Sequence, residues 1–131
     1  MLPSMRRCVL RQRVAPLAEN IGAVRRDVQA CATQIGAADP EGIALAVSEA
    51  MTNAVIHAYT DVAPQDIEVS VEVTADAVVV TVADSGRGMQ PRSDSPGLGL
   101  GLPLIASLTQ RFDVEQRPEG GTRLMLWFDR T

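Results

Sequence analysis

Four short segments carry the residues whose types and spacing could do chemistry: Glu49 to Asn53, Asp84 to Gly88, Gly97 to Gly101, and Gly120 to Thr122. Glu49 and Asn53 stand one helical turn apart, with His57 a further turn on. An asparagine carbonyl oxygen can hold Mg²⁺, and a glutamate can act as a base. Asp84 follows an apolar run, and Gly86 and Gly88 permit a tight turn or the close approach of a flat ligand to the main chain. The run Gly97-Leu98-Gly99-Leu100-Gly101 is not the dinucleotide fingerprint, because Leu102 takes the place of its third glycine. A helix beginning near Leu102 would still present free N–H groups and a positive dipole end to phosphates. Each segment alone has a plain structural alternative. Glu49, Asn53 and His57 could form a solvated polar row, Asp84-Ser85-Gly86 an acidic turn, and the glycine run a hinge. His57 reads best as a structural imidazole. The order and spacing of the four together point to a nucleotide site.

Every basic residue is arginine, and the chain has no lysine. A Walker-type phosphate loop and a two-lobed protein kinase both need one, as does Schiff-base chemistry. Those mechanisms are excluded.

The elements that must position these residues are legible from periodicity. Residues 7–16 read as a strand that Pro16 ends. Residues 18–35 read as a helix whose stripe is Ile21, Val24, Val28, Cys31 and Ile35, with Gly36 as its stop. Asp39 as N-cap and Pro40 at the first position open a second helix running to about Tyr59. Ile43, Val47, Ala50, Met51, Ala54 and Ala58 share its packing arc, while Leu45, Ala46 and Ile56 place apolar surface beside Glu49. Ile67, Val69, Val71 and Val73 alternate with polar residues, and Val78 to Ala83 reads as a central strand. A loop over 85–97, a helix over roughly 102–111 and a hairpin of 112–117 with 122–129 complete the order. Asp84 shares strand parity with Val78, Val80 and Val82, and Thr122 with Leu124, Leu126 and Phe128. If those six residues line one helix-covered face, Asp84 and Thr122 converge on it. The order β, α, α, β, β, α, β, β predicts an α+β two-layer sandwich, its mixed, mainly antiparallel sheet carrying three helices on one face.

At 131 residues and 46% hydrophobic content, the chain is expected to form one domain over 1–131, with a short extension at 1–6. A net charge of −4 argues against a nucleic-acid partner. No apolar run spans a membrane, and the first residues lack a secretory pattern, so a cytoplasmic protein is expected. Cys8 and Cys31, with one histidine, make no standard zinc motif and read as small hydrophobes in a reducing compartment.

With all four segments in view, the chain resembles the GHKL ATPase superfamily and, within it, the anti-sigma-factor serine kinases of bacteria. Val47 to Tyr59 resembles that group's N box. Val82 to Met89 resembles its first glycine box, Gly97 to Gly101 its second, and Gly120 to Thr122 the segment that backs the adenine pocket. The resemblance implies that Asp84 hydrogen-bonds the adenine amino group with Thr122 in support. It implies that Asn53 coordinates Mg²⁺ and that Glu49 is the general base. Gly86, Gly88, Gly97, Gly99 and Gly101 would wrap the nucleotide, and Arg92, with Arg87, would supply the cation a lysine-free lid otherwise lacks. ATP and Mg²⁺ are thus the implied cofactors. A sigma factor and its anti-anti-sigma antagonist are the implied partners of a homodimer. A non-catalytic, ATP-gated binding module and a detached sensor histidine kinase domain are the alternatives.

Overall fold

The computed structural model describes residues 6–58, 64–86 and 102–131. Its elements are β1 (Arg7–Val14), α1 (Ala18–Gln34), α2 (Pro40–Asn53) with a π-helical extension (Ala54–Ala58), β2 (Ile67–Val73), β3 (Ala77–Ala83), α3 (Leu102–Leu108), β4 (Arg111–Gln116) and β5 (Thr122–Asp129). The strands form one sheet in the order β1-β2-β3-β5-β4. Every ladder in it is antiparallel. The predicted α+β two-layer architecture is what forms, with the sheet antiparallel throughout the described residues and β3 at its centre.

The strand alternation decides which face is covered. Val69 and Val71 of β2, Val78, Val80 and Val82 of β3, and Leu124, Leu126 and Phe128 of β5 share one buried cluster with Val24, Val28, Ile43, Val47, Met51 and Ile105 from the three helices. Each fully buried valine there contributes on the order of 1.5–3 kcal/mol. Gln12 Nε2 donates to Asp27 Oδ2 at 2.8 Å, tying β1 to α1 at the edge of this layer. On the opposite face, Arg13, Glu68, Ala83, Arg123 and Glu115 form one cross-strand row. Arg13–Glu68 and Arg123–Glu115 approach to 3.8 and 3.4 Å within it. Arg111 lies 3.9 Å over the Trp127 ring in the next row but one.

Element ends reflect local chemistry. At the start of α2, the Gly42 N–H donates to Asp39 Oδ1 at 3.0 Å, as the N-cap reading requires. Gly36 adopts φ 76°, the left-handed stop after α1. Three boundaries differ from the periodicity reading. β1 stops at Val14 because the Ala15 carbonyl accepts from Leu17 N and Asn20 Nδ2 instead of a strand. α3 stops at Leu108 because Gln110 N–H donates to the Trp127 carbonyl at 2.8 Å, drawing the chain into the sheet. The second helix changes pitch after Asn53, its last regular α-helical residue. Ile56, within this wider turn, is 59% exposed. Among the described residues, no helix is long and apolar enough to cross a membrane.

Candidate functional site

The ladder between β3 and β5 places Ala83 opposite Arg123. The residues one step further out, Asp84 and Thr122, therefore meet at the end of the ladder. Asp84 N–H donates to the Thr122 carbonyl at 2.9 Å, and Thr122 N–H donates to Asp84 Oδ1 at 3.3 Å. Gly86 N–H donates to the same Oδ1 at 3.0 Å, closing a tight turn around the carboxyl group. Both side chains are buried, Asp84 at 8% and Thr122 at 1% exposure. The convergence expected from strand parity is what the structure shows.

A carboxylate in that setting is under tension. Burial pushes the Asp84 carboxyl above its usual range, while the N–H bonds from Gly86 and Thr122 and the charge of Arg117 pull it back down. Burial is the largest of these influences. Keeping an acid here costs stability, which is typical of a group retained for binding.

Two further residues hold Asp84, and periodicity did not reveal their roles. Arg117 Nη1 donates to the Asp84 carbonyl at 3.0 Å, from 33 residues away. Gly121, at φ 98°, lies so close that an added Cβ would overlap the Asp84 carbonyl and come within 2.6 Å of Ser85 Cα. Gly120 and Gly121 signalled a turn in the sequence, but nothing local signalled that the turn presses on the β3 exit. A long-range main-chain contact leaves no periodic trace.

The remaining candidate residues are on α2, which packs against β3. Asn53 is 4% exposed, and Glu49 is half-buried one turn before it. Asn53 stands where the α-helix gives way to the π turn. Such turns often accompany functional positions because they shift side chains off the regular helical track. Ser48 and Thr52, flanking this stretch of the helix, are engaged locally: Ser48 Oγ donates to the Leu45 carbonyl and Thr52 Oγ1 to the Ser48 carbonyl. Among the described residues, no group of three His, Cys, Asp or Glu side chains could hold a metal by itself. The Asn53 carboxamide could supply one oxygen to a Mg²⁺ ion that takes the rest from phosphates and water, the mode this ion prefers. Gly88, Arg92, Gly97, Gly99 and Gly101, with Arg87, lie outside the described residues, as does the His57 side chain.

The family model described as histidine kinase-like ATPase domain matches residues 14–127. The chain is 37% identical over 110 residues to a protein of Bacillus velezensis named serine-protein kinase RsbW, covering 82% of this chain and 64% of that one. It is 32% identical over 92 residues to the anti-sigma F factor of Clostridium botulinum, covering 62% and 64%. It is 33% identical over 111 residues to blue-light-activated histidine kinase 2 of Erythrobacter litoralis, covering 82% of this chain but 32% of that protein. The chain thus spans less than two thirds of the length of each of these relatives.

Proposed function

Because the chain belongs to the histidine kinase-like ATPase domain family, we propose that it binds Mg-ATP and transfers the terminal phosphoryl group to a hydroxyl of a small antagonist protein. In this reading it sequesters a sigma factor when the antagonist is silenced, and it works in the cytoplasm as a homodimer. The observation that carries the ATP assignment is the buried Asp84 carboxyl, held by two main-chain N–H groups on one oxygen. Those donors anchor Oδ1, which gives Oδ2 the task of accepting a hydrogen bond from the adenine amino group. Guanine presents a carbonyl at the corresponding position, and a carboxylate repels it. Thr122 supports Asp84 from the first residue of β5. The serine-kinase reading draws support from the relatives named serine-protein kinase and anti-sigma factor, each covered over 64% of its length. The histidine kinase is covered over half that share.

Asn53 would hold Mg²⁺ through its side-chain oxygen. When bound, the ion would neutralise charge on the phosphates. Glu49, on the same helix and half-buried, would accept the proton of the attacking hydroxyl. The backbone of Gly86, and of Gly88, Gly97, Gly99 and Gly101, would wrap the nucleotide, with Arg92 supplying positive charge.

The test is transfer of labelled phosphate from ATP to an antagonist encoded beside the gene. Glu49→Gln should keep ATP affinity within about twofold while lowering transfer by roughly 10²–10⁴-fold, the usual contribution of a general base. Transfer at the wild-type rate would remove Glu49 from that role. Tight ATP binding by the wild-type chain with no transfer at all would make it a nucleotide-gated binding module.

A further inference from the structure

Asp84 is held at its amide by Thr122 and at its carboxyl by Gly86 and Thr122. Its carbonyl is held by a side chain from the β4–β5 hairpin, Arg117. We infer that Arg117 is a positioning residue for adenine recognition: its guanidinium fixes the plane of the Asp84–Ser85 peptide and so aims the Asp84 carboxylate. The inference rests on the reading of this site as an ATP pocket and deepens it.

The geometry of Arg117 is that of a brace rather than a surface charge. Its side chain is only 20% exposed. Nη1 reaches the Asp84 carbonyl at 3.0 Å and the Ser85 hydroxyl oxygen at 3.5 Å. From the other side, Nε and Nη2 donate to Glu119 Oε1 at 3.0 and 2.9 Å. The planar fork is therefore locked between an acid of the hairpin and the main chain of the β3 exit, which a lysine's single ammonium could reproduce only in part. The hairpin itself is closed by Arg117 N–H to the Gly121 carbonyl and Gly120 N–H to the Arg117 carbonyl, both at 3.0 Å. Rotation of the Asp84–Ser85 peptide would displace Gly86, whose N–H anchors Oδ1. The carboxylate would then lose its direction as well as a hydrogen bond. The charge of Arg117 also favours the ionised, acceptor form of Asp84.

The experiment is a calorimetric titration of ATP and of GTP into the full chain, for wild type, Arg117→Ala and Arg117→Lys, with melting curves run alongside. Arg117→Ala should weaken ATP roughly ten- to hundredfold, as expected when the misdirected Asp84 carboxylate loses its charged hydrogen bond to the adenine amino group, while GTP affinity stays put. The preference for ATP should therefore collapse, and Arg117→Lys should restore part of it. In transfer assays KM for ATP should rise with kcat unchanged. An unchanged ATP to GTP ratio in the folded variant, or an equal loss for both nucleotides, would overturn the inference, since a merely structural brace has no preference between bases. Should the alanine variant fail to fold, Arg117→Gln reads the same ratio. Binding of neither nucleotide by wild type would overturn the ATP reading itself, and this inference with it.

Discussion

Gly121→Ala is expected to lower the melting temperature by about 10 °C and to abolish measurable ATP binding. Two separate effects combine at this position. Its φ of 98° lies in the region that L-residues rarely occupy, and forcing alanine there costs of order 1–3 kcal/mol. The added methyl group would also overlap the carbonyl of Asp84 and sit 2.6 Å from Ser85 Cα, so the hairpin and the β3 exit must separate. That separation stretches the bonds from Thr122 N–H and Arg117 to Asp84. A total near 3 kcal/mol is about 10 °C for a domain of this size. Gly120→Ala is the control. Gly120 also has a positive φ, 103°, but an added Cβ there meets nothing within 4 Å. It should show the strain without the clash, melting only a few degrees lower and binding ATP nearly as wild type. Equal effects in the two variants, read by thermal denaturation and ATP titration, would show that contact with Asp84 is not what makes Gly121 necessary.

Asp84→Asn should do the opposite to stability and at least as much to binding. Asparagine keeps Oδ1 as an acceptor for the Gly86 and Thr122 N–H groups. It removes a buried charge and puts an NH₂ donor where the proposed adenine amino group would also donate. Two facing donors forfeit the charged hydrogen bond and add repulsion, at least about 3 kcal/mol or a hundredfold in Kd. Stability moves the other way. Burial raises the carboxyl's folded-state pKa above its unfolded value near 3.9, so the folded chain holds the proton more tightly. The cost of the ionised group is therefore present in full above the raised value. It is relieved as pH falls through that value and is gone below about pH 4. At pH 7 the variant should melt no lower than wild type and by preference higher, with the gap closing as pH falls towards 4. A variant that binds ATP normally would remove Asp84 from the adenine contact. One that melts well below wild type would show that the carboxylate stabilises the fold instead.

The two expected effects differ in sign because Gly121 relieves a close contact while Asp84 carries a buried carboxyl, and the sequence reveals the two unequally. The parity of Val78, Val80 and Val82 with Asp84, and of Leu124, Leu126 and Phe128 with Thr122, is enough to bring the two polar residues together. Alternation with period two is set by backbone geometry and survives any packing detail. The cap at Asp39 and the stop at Gly36 are equally local and equally legible. What periodicity could not supply is the change of pitch after Asn53. A π turn closes i→i+5 hydrogen bonds, and the apolar spacing of the helix does not announce it. Ile56, inside that turn, is 59% exposed. The role of Arg117 is hidden for a related reason. A lone arginine at the end of an exposed strand looks like solubilising charge, and only the fold brings the Asp84 carbonyl to it.

The proposed pocket has an adenine end at Asp84 and Thr122 and a magnesium end at Asn53. Titrating ATP into wild type and Asn53→Ala, each with and without Mg²⁺, separates the two ends. Wild type should bind ATP in both conditions and more tightly with magnesium. Asn53→Ala should match wild type without the ion and lose most of the gain with it. No ATP binding by wild type in either condition would rule out the pocket, and the same magnesium gain in both proteins would remove Asn53 from the metal.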